Sequence, residues 1–235
     1  LIIKSIFFNI YFYFLTMILV LVCLPLLIFS YKGMLIVSRF WEMILTSGMK
    51  LFFSLTINVI GKHDPKKQVI YAVKHHSAWE TVFCTGFFRM PAIVLKKELV
   101  FLPIIGLYFL IGGSIAISRE NTLQALKKIS LKAKKAVDKG RSIMIFPQGT
   151  RVPINDDKKQ YPYLPGVYFI YKQSNLPVIP VAHNAGLFWP KNSFMKFPNN
   201  LKSNAVSIQF LDEIPVGLNK HDFMQFSCDS LNNEE

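Results

Sequence analysis

An imidazole and a carboxylate stand five positions apart in Lys74-His75-His76-Ser77-Ala78-Trp79-Glu80, directly after an apolar run. If that run is a strand and Glu80 opens a helix, the turn between them can fold the carboxylate back onto His75. An imidazole with one nitrogen held by a carboxylate and the other facing a cleft is a general base for a hydroxyl proton. The same residues admit a second reading, because Ser77-x-x-Glu80 is also a capping box in which Glu80 merely bonds backbone at the helix start. Spacing alone leaves both open. A metal held by His75, His76 and Glu80 would need further ligands, and His63, His183 and His221 are scattered singles, so none is expected.

Two arginines follow other apolar runs, Arg119 at the end of Gly112-Gly113-Ser114-Ile115-Ala116-Ile117-Ser118-Arg119 and Arg151 after Ile145-Phe146-Pro147-Gln148-Gly149-Thr150. Loops leaving the carboxyl ends of strands in an open α/β sheet are where ligands bind. A guanidinium there suits phosphate, since its planar fork binds the oxygens bidentately and keeps its charge. Either arginine alone would more often be a surface ion-pair partner; their joint arrival behind the His75 loop favours a site.

The elements that must position these groups follow from hydrophobic period. Val69–Val73, Ala92–Leu95, Ser114–Ile117, Ile143–Phe146, Val178–Val181 and Val206–Phe210 are short apolar runs bounded by Gly, Pro or polar residues, and read as buried strands. Between them Thr122–Lys139 has helical spacing, with Leu123, Leu126, Ile129, Ala133 and Val137 in one stripe and lysines over most of the rest; Gly140 ends it. Strands alternating with helices predict an α/β domain, with a mixed, largely parallel central sheet flanked by helices. This domain is expected over residues 61–235, preceded by membrane-associated helices over residues 1–60.

The N-terminal expectation rests on Ser5–Phe29, which holds no charged residue. Those residues make about 37 Å of helix, enough to cross a hydrocarbon core of about 30 Å. The stretch is too long for a signal-peptide core, and no small-residue cleavage site follows it. Pro25 is expected to kink it. Met34–Ile60 reads as an interfacial helix with Arg39, Glu42 and Lys50 on a polar side. Lys32, Arg39 and Lys50 after the first segment, against Lys4 before it, favour a cytoplasmic catalytic domain.

Composition agrees with lipid as a partner. The 235 residues are 51% hydrophobic with mean hydropathy +0.33, and 27 Lys+Arg against 14 Asp+Glu leave a net charge of +13. That balance excludes a disordered chain and an average soluble domain. Attraction of the Thr122–Lys139 lysines to anionic lipid is expected beside the membrane segment. Nucleic acid is not an expected partner, because no recognition motif accompanies the charge. Cys23, Cys84 and Cys228 lie far apart and suggest no disulfide framework. Five arginines beside 22 lysines, with heavy use of Ile, Asn and Phe, suggest an AT-rich bacterial gene, hence a bacterial inner membrane protein.

Four blocks in order carry a resemblance to a known family. His75-His76-Ser77-Ala78-Trp79-Glu80, Ile117-Ser118-Arg119, Phe146-Pro147-Gln148-Gly149-Thr150-Arg151 and Val178-Ile179-Pro180-Val181-Ala182-His183-Asn184 are similar to those of the glycerolipid acyltransferases, most closely the bacterial type acting on 1-acyl-sn-glycerol-3-phosphate. Lys96-Lys97-Glu98-Leu99 followed by Pro103 and Gly106 resembles the stretch between the first two blocks. The resemblance implies acyl transfer from acyl-CoA or acyl carrier protein to the sn-2 hydroxyl of lysophosphatidic acid, giving phosphatidic acid, with no further cofactor. It also implies roles: His75 as base, Glu80 as its orienter, Arg119 and Arg151 on the phosphate with Gly149 and Thr150 shaping the turn, and Pro180 bounding the acyl site. Two positions depart from the family pattern. Glu80 stands where the family usually has Asp, and Gln148 where it usually has Glu. A sister acyltransferase using glycerol-3-phosphate or another lysolipid would use the same base and phosphate clamp, and a non-catalytic lipid-binding protein would share the basic charge and the apolar N-terminus. No G-x-S-x-G elbow supports a hydrolase.

Overall fold

Alternation along the strands places Val69, Tyr71 and Val73 on one face of a sheet and Ile70 and Ala72 on the other, and all five are buried. A sheet buried on both faces needs helices on both sides. The computed structural model describes residues 1–29, 31–102, 105–117, 123–154, 166–196 and 204–232, and shows that arrangement. Its strands are β1 (Thr56–Ile60), β2 (Ile70–Val73), β3 (Ala92–Lys96), β4 (Ile115–Ile117), β5 (Ile143–Ile145), β6 (Val178–His183) and β7 (Ala205–Phe210). They form one sheet in the order β1-β7-β6-β2-β5-β3-β4. The five strands from β6 to β4 are parallel; β7 is antiparallel to β6, and β1 is parallel to β7.

The helices are α1 (Ile2–Phe29), α2 (Tyr31–Phe53), α3 (Trp79–Phe87), α4 (Ile105–Ile111), α5 (Leu123–Val137), α6 (Gly166–Ser174), α7 (Ala185–Phe188) and α8 (Lys220–Asn232), with a 3₁₀ turn at Lys97–Phe101. On one sheet face Phe8, Phe12, Met34, Leu45, Trp79, Phe83 and Tyr108 pack with Tyr71, Ile93 and Val181; on the other, Ile129, Ala133, Ile170, Tyr171 and Phe223 pack with Ile70, Val94 and Ile143. So α1 to α4 cover one face, and α5, α6 and α8 the opposite one.

All six expected strands are present. The helix expected over Met34–Ile60 is not continuous, because α2 ends at Phe53 and Thr56–Ile60 is strand β1, paired with β7 from Thr56↔Ala205 to Ile60↔Gln209. The lysine-rich helix also serves differently from expectation. Ile129, Ala133 and Ala136 of α5 are buried in the core on the face away from α1 and α2, so its lysines do not extend the membrane-helix surface.

Helix α1 runs on through Pro25 and is long and apolar enough to cross a membrane. It is nevertheless docked on the domain. Phe8 and Phe12 set their rings edge-on to Trp189 at 5.8 and 5.5 Å, and Trp41 Nε1–H of α2 donates to Thr16 Oγ1 at 3.0 Å. The rest of its surface exposes Ile3, Phe7, Ile10, Phe14, Leu21 and Val22.

Candidate active site

The parallel strands all end on one edge, and the chemistry-bearing residues of the sequence leave from there. β2 ends at Val73 and continues into His75; β5 ends at Ile145 and continues into the Phe146–Arg151 turn; β6 ends in His183. This is the edge at which open α/β sheets hold ligands.

His75 Nδ1–H donates to Glu80 Oε1 at 2.8 Å. The same oxygen accepts the backbone N–H of His76 at 3.0 Å and of Ser77 at 2.8 Å. The orienting and capping contacts are therefore not alternatives, since one oxygen makes both. Glu80 is wholly buried at the start of α3. Burial alone would raise its pKa, but nearby His183 and the hydrogen bonds from His75 and Ser77 overcome that and hold it below the usual carboxylate value. An ionised carboxylate only accepts, so in a neutral His75 ring the proton sits on Nδ1 and the lone pair on Nε2. The His75 side chain is 18% exposed and lines a cavity.

The turn after β5 is stitched to the His75 loop at four points. Phe146 stacks on the His75 ring with centroids 4.0 Å apart; Gln148 Oε1 accepts the His75 N–H at 2.9 Å; Val152 N–H donates to His75 O at 2.7 Å; and His76 Nδ1–H donates to Val152 O at 2.7 Å. Gly149 makes the turn at φ 63°, a region that disfavours other residues, and its N–H donates to Phe146 O at 2.9 Å. The role visible for Gln148 needs an acceptor oxygen and not a charge. Gln148→Glu is thus expected to change kcat/KM by less than roughly tenfold, about 1.4 kcal/mol. A gain of a hundredfold or more in initial-rate assays would show that a carboxylate is required there.

His183, read as a scattered single, sits in the same site, and so does His76. His183 Nε2–H donates to Lys74 O at 2.7 Å, and its Nδ1 accepts Ala185 N–H at 3.2 Å, which fixes a neutral tautomer. Its Nε2 lies 3.9 Å from Glu80 Oε2, a buried oxygen with no hydrogen-bond partner among the described residues. Burial lowers the pKa of His183, against the pull of Glu80, and lowers that of His76 to about 4. In the unfolded chain both titrate near 6.5. Between those values the unfolded chain binds protons that the folded one does not, so stability is complete above about pH 6.5 and is lost as pH falls toward 4. For His76 the loss from pH 7 to pH 5 is about 2 kcal/mol, or about 4–8 °C in the midpoint of a chain this size. Thermal unfolding in detergent at the two pH values measures it; an unchanged midpoint would mean that the histidines are not held neutral.

The cavity occupies about 270 Å³. Its polar wall holds His75, Lys96, Thr150, Arg151 and Lys191, and its apolar wall Ile93, Leu95, Leu99, Phe109, Ile145 and Val167. Gly149, Thr150 and Arg151 thus line the same cavity as His75, the neighbours that the resemblance implied. Arg119 lies outside the described residues, just beyond the end of β4. Pro180 is buried in mid-strand of β6, paired with Ala72, and does not line the cavity. Its block reaches the site through His183 instead.

Comparison with known proteins gives concordant matches. The Acyltransferase family model matches residues 56–184. The chain is 37% identical over 138 residues to a 1-acyl-sn-glycerol-3-phosphate acyltransferase of Pseudomonas aeruginosa, covering 59% of this chain and 52% of that protein. It is 30% identical over 127 residues to the human 1-acyl-sn-glycerol-3-phosphate acyltransferase beta, covering 52% and 42% respectively. The matched regions thus span about half the length of these curated relatives or less. Among solved structures, the 1-acyl-sn-glycerophosphate (LPA) acyltransferase PlsC from Thermotoga maritima matches with a TM-score of 0.70 at 18% identity, covering 96% of this chain and 92% of that one, which establishes a shared fold.

Proposed function

The chain belongs to the Acyltransferase family, and from that premise we propose that it transfers a fatty acyl group from a thioester to the sn-2 hydroxyl of 1-acyl-sn-glycerol-3-phosphate, giving phosphatidic acid. One observation carries the reading: the His75 ring, held at Nδ1 by Glu80, lines a cavity shared with the Arg151 guanidinium and an apolar wall. In the reaction Nε2 takes the hydroxyl proton as the oxygen attacks the thioester carbonyl. The imidazolium so formed is stabilised by Glu80 and returns the proton to the departing thiolate. Arg151 holds the acceptor phosphate, and the wall of Ile93, Leu95, Leu99, Phe109 and Val167 takes the acyl chain. The donor is a thioester of CoA or of acyl carrier protein, and the chemistry requires no metal or further cofactor.

The exposed apolar faces of α1 and α2, which include Phe7, Phe14, Ile36, Phe40 and Met43, support attachment to a bilayer from which both lipid substrates come. In this reading the protein sits at a bacterial inner membrane with its sheet domain on the cytoplasmic side. The test supplies vesicles carrying the full chain with labelled acyl-CoA or acyl carrier protein, and with lysophosphatidic acid, glycerol-3-phosphate or monoacylglycerol as acceptor. Phosphatidic acid from lysophosphatidic acid is expected. No acylated product, or equal turnover of phosphate-free monoacylglycerol, would overturn the assignment.

A further inference from the structure

The largely apolar α1 carries two buried polar side chains near its start, Ser5 and Asn9. Both are bonded to one distant loop. Ser5 Oγ donates to Lys196 O and accepts Lys196 N–H, each at 3.1 Å, and Asn9 Nδ2 donates to Phe194 O at 3.2 Å. Phe8 and Phe12 between and beyond them pack on Trp189, at the root of the same loop. A buried polar group without a partner costs about 1–3 kcal/mol, so these contacts choose where the loop sits on the helix.

The loop brings cations to the site. Lys191 lines the cavity together with His75, Thr150 and Arg151. Lys196 is 5% exposed; its Nζ donates to Ser193 O and lies 4.8 Å from the centroid of the Trp189 ring. Burial, and then the charge of Arg151, lower the Lys196 pKa to about 8. Among the described residues no carboxylate is paired with Arg151, Lys191 or Lys196. Like charges gathered without an acid are relieved by an anion.

We propose that Lys191 binds the acceptor phosphate together with Arg151, and that Ser5 and Asn9 of the membrane helix are positioning residues that hold the Trp189–Lys196 loop where Lys191 can do so. The inference deepens the acyltransferase reading and rests on it. It gives the apolar helix a role besides attachment, because the segment nearest lipid then sets the geometry of the headgroup site. A phosphate could also come from the CoA donor; the inference commits to the acceptor, because Lys191 shares its cavity with His75 and the acceptor phosphate is only a few bonds from the hydroxyl that His75 deprotonates, whereas the CoA phosphates lie a pantetheine arm from the thioester.

The experiment uses the full chain in detergent micelles and measures KM for lysophosphatidic acid and for acyl-CoA separately, together with equilibrium binding of fluorescent lysophosphatidic acid without donor. Lys191→Ala should raise the acceptor KM about tenfold and weaken binding equally, with kcat and the donor KM within about threefold, and Lys191→Arg should restore most of the loss. The double substitution Ser5→Val with Asn9→Leu should keep the protein on liposomes, raise the acceptor KM similarly, and add nothing further in a Lys191→Ala background. That non-additivity separates positioning from general loosening of the fold. Unchanged acceptor binding in Lys191→Ala, or a rise confined to the donor KM, would overturn the inference. The binding arm reads it without turnover, whereas failure of the unaltered chain to form phosphatidic acid would count against the acyltransferase reading.

Discussion

Replacing His75 with alanine is expected to lower kcat by about 10²–10⁴-fold while leaving the protein on membranes. The expectation follows from what the ring touches. Its Nδ1 side is bonded to Glu80 and one face stacks on Phe146, whereas the ring edges into the cavity instead of filling the core. Its loss removes a proton acceptor and little packing. His76→Ala should be much milder, because that ring bonds Val152 O and lies 5.5 Å from the His183 ring, outside the cavity wall. Steady-state rates of phosphatidic acid formation, with flotation on liposomes as the control, distinguish the two. An essential His76 beside a dispensable His75 would mean that the base has been assigned to the wrong ring.

How much of this could be read beforehand depended on whether a residue's partner is near in sequence. The buried strands were legible because runs such as Ile143–Ile145 are apolar on both faces, as a doubly covered sheet demands. Strand β1 was not. Thr56–Ile60 is a mostly exposed edge strand whose apolar residues continue the pattern of α2, and its strand character comes from β7, about 150 residues away. The His75–Glu80 pair is local, and its spacing shows in the text of the chain. His183 joins it only because β6 lies beside β2, although its place at the end of a strand-like run was a usable signal. The hold of Ser5 and Asn9 on the Phe194–Lys196 segment spans some 190 residues and left no trace in any window. For α5 the period was right and its use was not, since amphipathicity says that one face is covered without saying by what.

Glu80→Gln is the second large effect, expected at about 10²–10³-fold in kcat, or about 3–4 kcal/mol of transition-state stabilisation. The amide is nearly the same size, and its oxygen can still accept from His75 Nδ1 and from the N–H groups of His76 and Ser77. Helix capping should therefore survive. What disappears is the charge that stabilises the imidazolium when His75 takes the hydroxyl proton, in a buried place where water cannot substitute for it. The new NH₂ would also occupy the position of Oε2, 3.9 Å from the His183 nitrogen whose N–H already donates to Lys74 O, so two donors would face each other. Turning the amide round relieves that conflict only by presenting the NH₂ to three other donors, which is worse. Glu80→Asp, the residue usual in the resembling family, keeps the charge but withdraws it by one methylene from a loop fitted to glutamate, and should lose about tenfold. Measuring kcat beside the thermal midpoint decides between the functions of this carboxylate. If Glu80→Gln kept kcat within threefold while its midpoint fell by several degrees, Glu80 would be a structural cap alone, and His75 would act as a base without an anionic partner.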